Sequence, residues 1–492
     1  MSGKGWGLAV GGAAVAAAGV AGAVAVRRRV AQYAPVAPAG PAPFSEPPGD
    51  YAAPAAEHLS ALVRIATVSS RVPGEADATA FDELRTALAR LYPRVHAQLE
   101  LEQIPERALL LRWRGASDER PVVLMAHQDV VPAVPAEWSG DPFSGDVRDL
   151  SVWGRGTLDD KGSLVVLLEA VESLLAEGFV PPQDVWLSLG DDEEIAGSSA
   201  EAAVARLKAL DVRPWLVLDE GGAVVTGAFP GVEAPVAVVG VTEKGILDVE
   251  ISAAATGGHA SMPERGGATW RVARAITEVE EHPFPPSLNG PALAMVDLLG
   301  RHSPRLRPLL AYSEPLAPAL ARAFTRISPE TNAMVRTTVV ATMLQGAPGA
   351  NVVATSAKAN LNVRIAPGES VSGVMARLRR VIDDDEVDLR IVASSEPSPV
   401  SPADGPQFTL VRQAVAAAYP QALATPYVML GASDARHFTQ IADHVYRFSP
   451  FAMTREQRET LHGVDEHVTV DALGRGVVFY RALLRGLARA TR

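Results

Sequence analysis

The chain has 492 residues, with 45 Lys and Arg against 57 Asp and Glu, a net charge of -12, and no Cys. Its length is about three times a typical domain of roughly 150 residues, so two domains are expected, and the 48% of hydrophobic residues rules out global disorder. The acidic balance gives no electrostatic footprint for wrapping nucleic acid. Without Cys there can be no disulfide scaffold, thiolate zinc site, iron–sulfur cluster or cysteine nucleophile, so any metal must be held by carboxylates and the 10 His.

In chain order, Gly5 to Val26 is an uncharged run of Ala, Gly and Val between Lys4 and Arg27-Arg28-Arg29. As a helix it would be about 33 Å long, enough to cross a hydrocarbon core of about 30 Å, which predicts a single membrane anchor over residues 1–32. The arginine flank favours a globular body on the cytoplasmic side of that membrane. Residues 33–54, rich in Pro and Ala with Pro-Pro-Gly at 47–49, read as a semi-rigid linker.

From Ala55 the pattern alternates helix and strand. Glu57–Ile65 and Asp77–Leu91 have helical periodicity, and Ser163–Glu177 reads as a crossover helix. Val122–Ala126, Val185–Leu189 and Leu216–Leu218 are short apolar runs suited to buried parallel strands. Near Glu243 the texture changes: Leu247–Ala253, Arg336–Met343 and Lys358–Ile365 alternate apolar and polar residues, as in a sheet with one covered face. Helices at Ala268–Glu280 and Val371–Ile382 interleave with them. The expected organisation is an α/β domain built from 55–242 and 396–492, interrupted by an α+β ferredoxin-like insert over 243–395.

Four clusters of acidic residues or histidine fall at the ends of the core elements: His127-Gln128-Asp129, Asp159-Asp160-Lys161-Gly162, Asp191-Asp192-Glu193-Glu194 and Asp219-Glu220-Gly221-Gly222. Surface charge runs have no reason to recur at strand C-terminal ends, where open α/β sheets place their sites. Imidazoles and carboxylates together suit zinc, and two ions about 3.5–4 Å apart need a carboxylate between them. In His127-x-Asp129 on extended backbone both side chains share a face, so the aspartate can orient the ring. In a Glu-Glu pair one carboxylate can ligate while its neighbour takes a proton.

The stretches Ala126-His127-Gln128-Asp129-Val130-Val131-Pro132, Trp153-Gly154-Arg155-Gly156-Thr157-Leu158-Asp159-Asp160-Lys161-Gly162 and Asp192-Glu193-Glu194 together resemble the aminoacylase–carnosinase–desuccinylase family of dinuclear zinc peptidases, over about residues 55 to 490. Asp219-Glu220-Gly221-Gly222, the long insert and the N-terminal run look most like the Gly-Xaa carboxypeptidase and N-acyl-amino-acid hydrolase branch. The resemblance implies a zinc-peptidase catalytic domain with a mixed, largely parallel sheet flanked by helices, and an inserted dimerisation (lid) domain.

It also implies two zinc ions per subunit, with cobalt or manganese suited to the same ligands. One ion would be held by His127, Asp159 and Asp219, the other by Asp159, Glu194 and His462, with Asp159 bridging and the Asp159–Asp160 bond cis. His467 is the competitor of His462 but lies outside the matching motif. Glu193 would be the general base and Asp129 the orienter of His127. In the insert, His259 would reach the active site of the partner subunit in a homodimer, and Asn351 and Arg364 of the insert, with Gly431 of the body, would bind substrate. The implied activity is cleavage of the amide before a C-terminal amino acid in a small peptide or N-acyl amino acid. The alternatives are an aminopeptidase or dipeptidase on the same site and a catalytically silent binding protein.

Overall fold

The computed structural model describes residues 29, 31–35 and 42–490, apart from 73, 106, 228 and 230. The body is built on an eight-stranded mixed sheet with the strand order 100–103, 109–113, 185–190, 122–127, 216–225, 445–453, 236–243 and 423–429. Its centre is parallel, since Val122–His127 pairs in parallel with both Val185–Gly190 and Leu216–Val225. Every residue of the first two of these strands is buried, which is why their sequences are continuous apolar runs rather than alternations. Successive side chains still go to opposite faces. Val122, Leu124 and Ala126 pack into the cluster that holds helices Gly49–Val63, Lys161–Ala176, Pro406–Ala418 and Val470–Ala490, whereas Val123 and Met125 pack against helix Ser199–Ala209 and Phe438 on the other side.

The insert carries a four-stranded antiparallel sheet in the order 338–345, 356–365, 245–254 and 387–395, with helices Ala268–Glu281 and Val371–Ile382 packed into its core. In chain order this is strand, helix, strand, strand, helix, strand, the ferredoxin-like arrangement expected from the sequence. Leu247, Val249, Ile251 and Ala253 face the helices, and the residues between them are not buried. The connection from body to insert is pinned in both directions: the carboxylate of Glu243 accepts the Ser433 N–H at 2.8 Å in the body, while Lys244 Nζ donates to the Ala333 and Arg336 carbonyls at 2.9 and 2.8 Å in the insert.

Three features differ from the sequence reading. Helices Gly290–His302, Arg307–Leu310, Ser313–Phe324 and Pro329–Met334 form an excursion within the insert. Met295, Leu299 and Met334 of this excursion bury in the core of the body, not in that of the insert sheet. The Pro/Ala-rich stretch is not extended throughout, because a helix starts at Gly49 and runs through Pro54. A Cβ at Gly474 would come within 2.3 Å of the Pro48 carbonyl oxygen, so glycine lets the C-terminal helix touch this segment.

The third difference is a correction. Among the described residues no helix is long and apolar enough to cross a membrane. The run Gly5 to Val26 lies outside the described residues, and the single-pass anchor, the membrane partner and the membrane location that rested on it are withdrawn. The length rule counts residues, whereas insertion depends on transfer energy, and a run of Ala and Gly supplies little of it.

Candidate metal centre

His127 is the last residue of its strand and is 2% exposed. Its Nδ1 lies 3.0 Å from the Asp129 carbonyl oxygen and 3.3 Å from Asp129 Oδ1. A ring whose Nδ1 faces acceptors carries its proton there, which leaves Nε2 as the ligating nitrogen. Nε2 in turn points at Asp159 Oδ1, 3.0 Å away, and at Glu220 Oε1, 3.6 Å away. The buried Asp129 carboxylate also accepts the Ser69 hydroxyl at 2.7 Å and the N–H groups of Glu193 and Glu194 at 3.2 Å each. One side chain therefore orients both the imidazole and the short helical turn Glu193–Ile195.

Asp159 sits between two imidazoles. Its other oxygen, Oδ2, is 3.1 Å from His462 Nε2, which is also 3.1 Å from Glu194 Oε2. The peptide between Asp159 and Asp160 is cis. Helix Lys161–Ala176 begins immediately afterwards, and a Cβ at Gly162 would fall 2.2 Å from the Thr157 carbonyl oxygen, so the loop folds tightly back on the helix start only with glycine there. His467 is elsewhere, with its ring stacked on Trp153 at a centroid distance of 4.1 Å.

The electrostatics are those of a buried carboxylate cluster. Burial pushes the carboxyls of Glu193 and Glu220 well above the usual range, and takes Asp434, behind them, to about 8. Burial acts on Asp159 in the same direction, but hydrogen bonds with His127 and His462 outweigh it and hold that carboxyl below the usual range. Hydrogen bonds to Asp159 and Glu194 push His462 up to about 10. The ion-pair partners of Asp159, Glu194 and Glu220 are these same imidazoles.

Ligand atoms of His127, Asp159 and Glu194, and separately of His127, Glu193 and Glu220, lie within 4.8 Å of one another. Glu194 Oε1 is buried without a hydrogen-bond partner among the described residues. An acid-rich, convergent donor set with an orphaned buried oxygen fits a divalent cation.

Most of the residues singled out in the sequence for metal converge here: His127, Asp159, Glu194 and His462, with Asp129 and Glu193 beside them. Asp219 is buried beside the cluster: its Oδ2 accepts the Ala435 N–H at 2.8 Å, while the neighbouring Glu220 brings Oε1 within 3.6 Å of His127 Nε2. The pairing with 445–453 is irregular between Asp219 and Gly222, so the simple alternation of a strand does not decide which of the pair enters the cluster. An Asp-Glu dipeptide carries no signal of which.

The insert residues lie outside the cluster. His259, on the exposed strand Gly258–His259, is antiparallel to Val352–Val353. The Ala260 N–H reaches the Asn351 carbonyl at 3.1 Å, so His259 and Asn351 share one hairpin-like ladder. The His259 Nδ1 accepts from the Ser261 N–H at 3.2 Å. Arg364 is half-buried in strand Ser356–Ile365, where burial lowers its pKa. Gly431 opens the turn whose Ser433 is held by Glu243.

The sequence model of peptidase family M20/M25/M40 matches residues 123–486. The chain is 34% identical over 401 residues to a probable carboxypeptidase S-like 2 of Dictyostelium discoideum, covering 80% of this chain and 77% of that protein. It is 34% identical over 436 residues to the N-fatty-acyl-amino acid synthase/hydrolase PM20D1 of Xenopus tropicalis, covering 87% and 85% respectively. Among solved structures, the M20 family metallo-carboxypeptidase Sso-CP2 from Sulfolobus solfataricus superposes with a TM-score of 0.65 at 15% identity, covering 88% of this chain and 98% of that one.

Proposed function

The chain belongs to peptidase family M20/M25/M40, whose members are metal-dependent hydrolases, and on that premise we propose that it cleaves the amide bond before a C-terminal amino acid in small peptides or N-acyl amino acids. The observation that carries a two-metal reading is the position of Asp159, with one oxygen 3.0 Å from His127 Nε2 and the other 3.1 Å from His462 Nε2. His127, Glu220 and Asp159 would hold one zinc ion, and Asp159, Glu194 and His462 the other. Bound there, the ions would supply Lewis acidity to a carbonyl and a water of lowered pKa.

The chain's own residues do the rest. Glu193, its pKa raised by burial, accepts a proton from the attacking water and returns it to the leaving amine. Asp129 keeps the His127 ring and the Glu193 turn in register. A carboxypeptidase substrate and an N-acyl amino acid share a free carboxylate next to the scissile amide, and the planar fork of Arg364, with Asn351 and the Gly431 turn, suits it. Because His259 Nδ1 accepts the Ser261 N–H, the proton of the neutral ring is on Nε2, where it can donate to an oxyanion. Metal analysis, together with turnover on N-acyl amino acids and on dipeptides, tests this reading. A protein that retains no divalent metal, or turns over neither class, removes it.

Two variant sets probe the assignments. Arg364→Met is expected to raise KM for N-acyl amino acids about 10- to 100-fold, the worth of charged hydrogen bonds of roughly 1.5–3 kcal/mol. It should also abolish discrimination against carboxyl-amidated analogues; an unchanged KM would dismiss Arg364 as the carboxylate ligand. Glu220→Gln should lower the metal content, while Asp219→Asn should leave it near that of the unaltered chain. The opposite pattern in atomic absorption of the dialysed proteins would return Asp219 to the ligand set.

A further inference from the structure

Glu466 is 0% exposed and its carboxylate is used on both oxygens. Oε1 accepts the Leu158 N–H at 2.7 Å and the Asp159 N–H at 3.2 Å. Oε2 accepts Arg155 Nη1 at 2.7 Å and the Gly156 N–H at 3.1 Å. Arg155, itself 2% exposed, crosses back through Nη2 to the Gly463 carbonyl at 2.8 Å. A residue of the His462 loop thus holds the backbone of the Asp159 loop, and a residue of the Asp159 loop holds the backbone next to His462. The Gly154 N–H to the Glu466 carbonyl, 2.9 Å, and the antiparallel pairing of 467–469 with 151–153 extend the brace away from the cluster.

We infer that Glu466 and Arg155 are a positioning pair that sets the distance between Asp159 and His462, and hence the affinity of the metal position those two residues share with Glu194. The inference rests on the two-metal reading above. The two loops approach from opposite ends of the chain, and Asp159 Oδ2 and His462 Nε2 are 3.1 Å apart only if both backbones are fixed. His462 needs fixing most, because its side chain is 54% exposed and its φ of 55° lies in the left-handed region. His127 owes its place to strand and Asp129 contacts that do not involve the brace. Groups that orient ligands without touching the metal are worth about 10- to 100-fold in metal affinity, and here the effect should be larger at the position that holds both Asp159 and His462 than at the one that shares only Asp159.

The test is titration of the metal-free full chain with zinc and with cobalt against a competing chelator, for the unaltered protein, Glu466→Gln and Arg155→Lys. Stoichiometry, the two affinities and the cobalt absorption spectrum are read, and thermal melting of the metal-free proteins is followed in parallel. The expected result is one affinity lowered by about 10- to 100-fold in each folded variant, with a clearly smaller loss at the position that shares only Asp159. Arg155→Lys keeps the ion pair to Glu466 while losing the fork to Gly463, so it should show the smaller loss, and it decides the matter if Glu466→Gln does not fold. A purely structural role would lower the metal-free melting temperature and leave both affinities unchanged, and that outcome overturns the inference. So does an equal loss at both positions. An unaltered chain that binds fewer than two ions would instead overturn the two-metal reading itself.

Discussion

Glu193→Gln should retain its metal and bind substrate, yet lose turnover by about 10²- to 10⁴-fold, the usual worth of a general base. The neighbouring substitution should behave differently. Glu194 Oε2 is 3.1 Å from His462 Nε2 and its other oxygen is buried without a partner, so Glu194→Gln should release metal, a neutral amide being the poorer ligand. The two residues are chemically identical and adjacent. What separates them is the turn Glu193–Ile195, whose first two N–H groups are fixed on Asp129 so that the side chains splay apart. Metal content, substrate affinity and kcat measured on both variants distinguish the roles. Metal loss in Glu193→Gln with full occupancy in Glu194→Gln would exchange the assignments, and near-normal turnover in Glu193→Gln would eliminate it as the base.

The sequence was most readable where one physical demand controlled the residue choice. Val122–His127 has both faces buried and so shows an unbroken apolar run, and its ending in His127 marks the sheet edge where sites form. Helix Val371–Ile382 covers one face of a sheet, and its boundaries were read to the residue. Legibility failed where two demands competed. The excursion of helices between Gly290 and Met334 is punctuated by Pro291, Pro308, Pro318 and Pro329, and proline signals breaks even where it sits in a first turn. Asp219 and Glu220 were indistinguishable because the break in register between Asp219 and Gly222, not residue type, brings Glu220 to His127. His462 lies 3.1 Å from Asp159 whereas the His467 ring stacks on Trp153, a contact to which no local pattern points. No local pattern gives Glu466 its role for a similar reason: its value lies in the backbone N–H groups of Gly156, Leu158 and Asp159, some 300 residues earlier in the chain.

Arg447→Met should destabilise the body by about 3–5 kcal/mol, the cost of leaving one member of a buried ion pair without its partner. Arg447 is 0% exposed, and its Nη2 donates to Glu243 Oε1 at 3.2 Å while Nη1 donates to the Val445 carbonyl at 3.0 Å. Glu243 uses its remaining oxygen on the Ser433 N–H. Removing the guanidinium thus strands a carboxylate at the junction with the insert and loosens the anchor of the turn containing Gly431. Adding Glu243→Gln to Arg447→Met removes the stranded charge while keeping an oxygen for Ser433, so the double variant should recover much of the loss. Urea unfolding followed by tryptophan fluorescence reads both effects as shifts in midpoint at unchanged slope. If the single variant unfolds at the midpoint of the unaltered chain, the pair contributes nothing to stability. If the double variant is no better than the single, the loss comes from the missing packing and backbone hydrogen bonds of the arginine, not from the orphaned charge. In the expected case the charge is what the arginine neutralises, and the Gly431 turn inherits its position from an ion pair at the base of the insert.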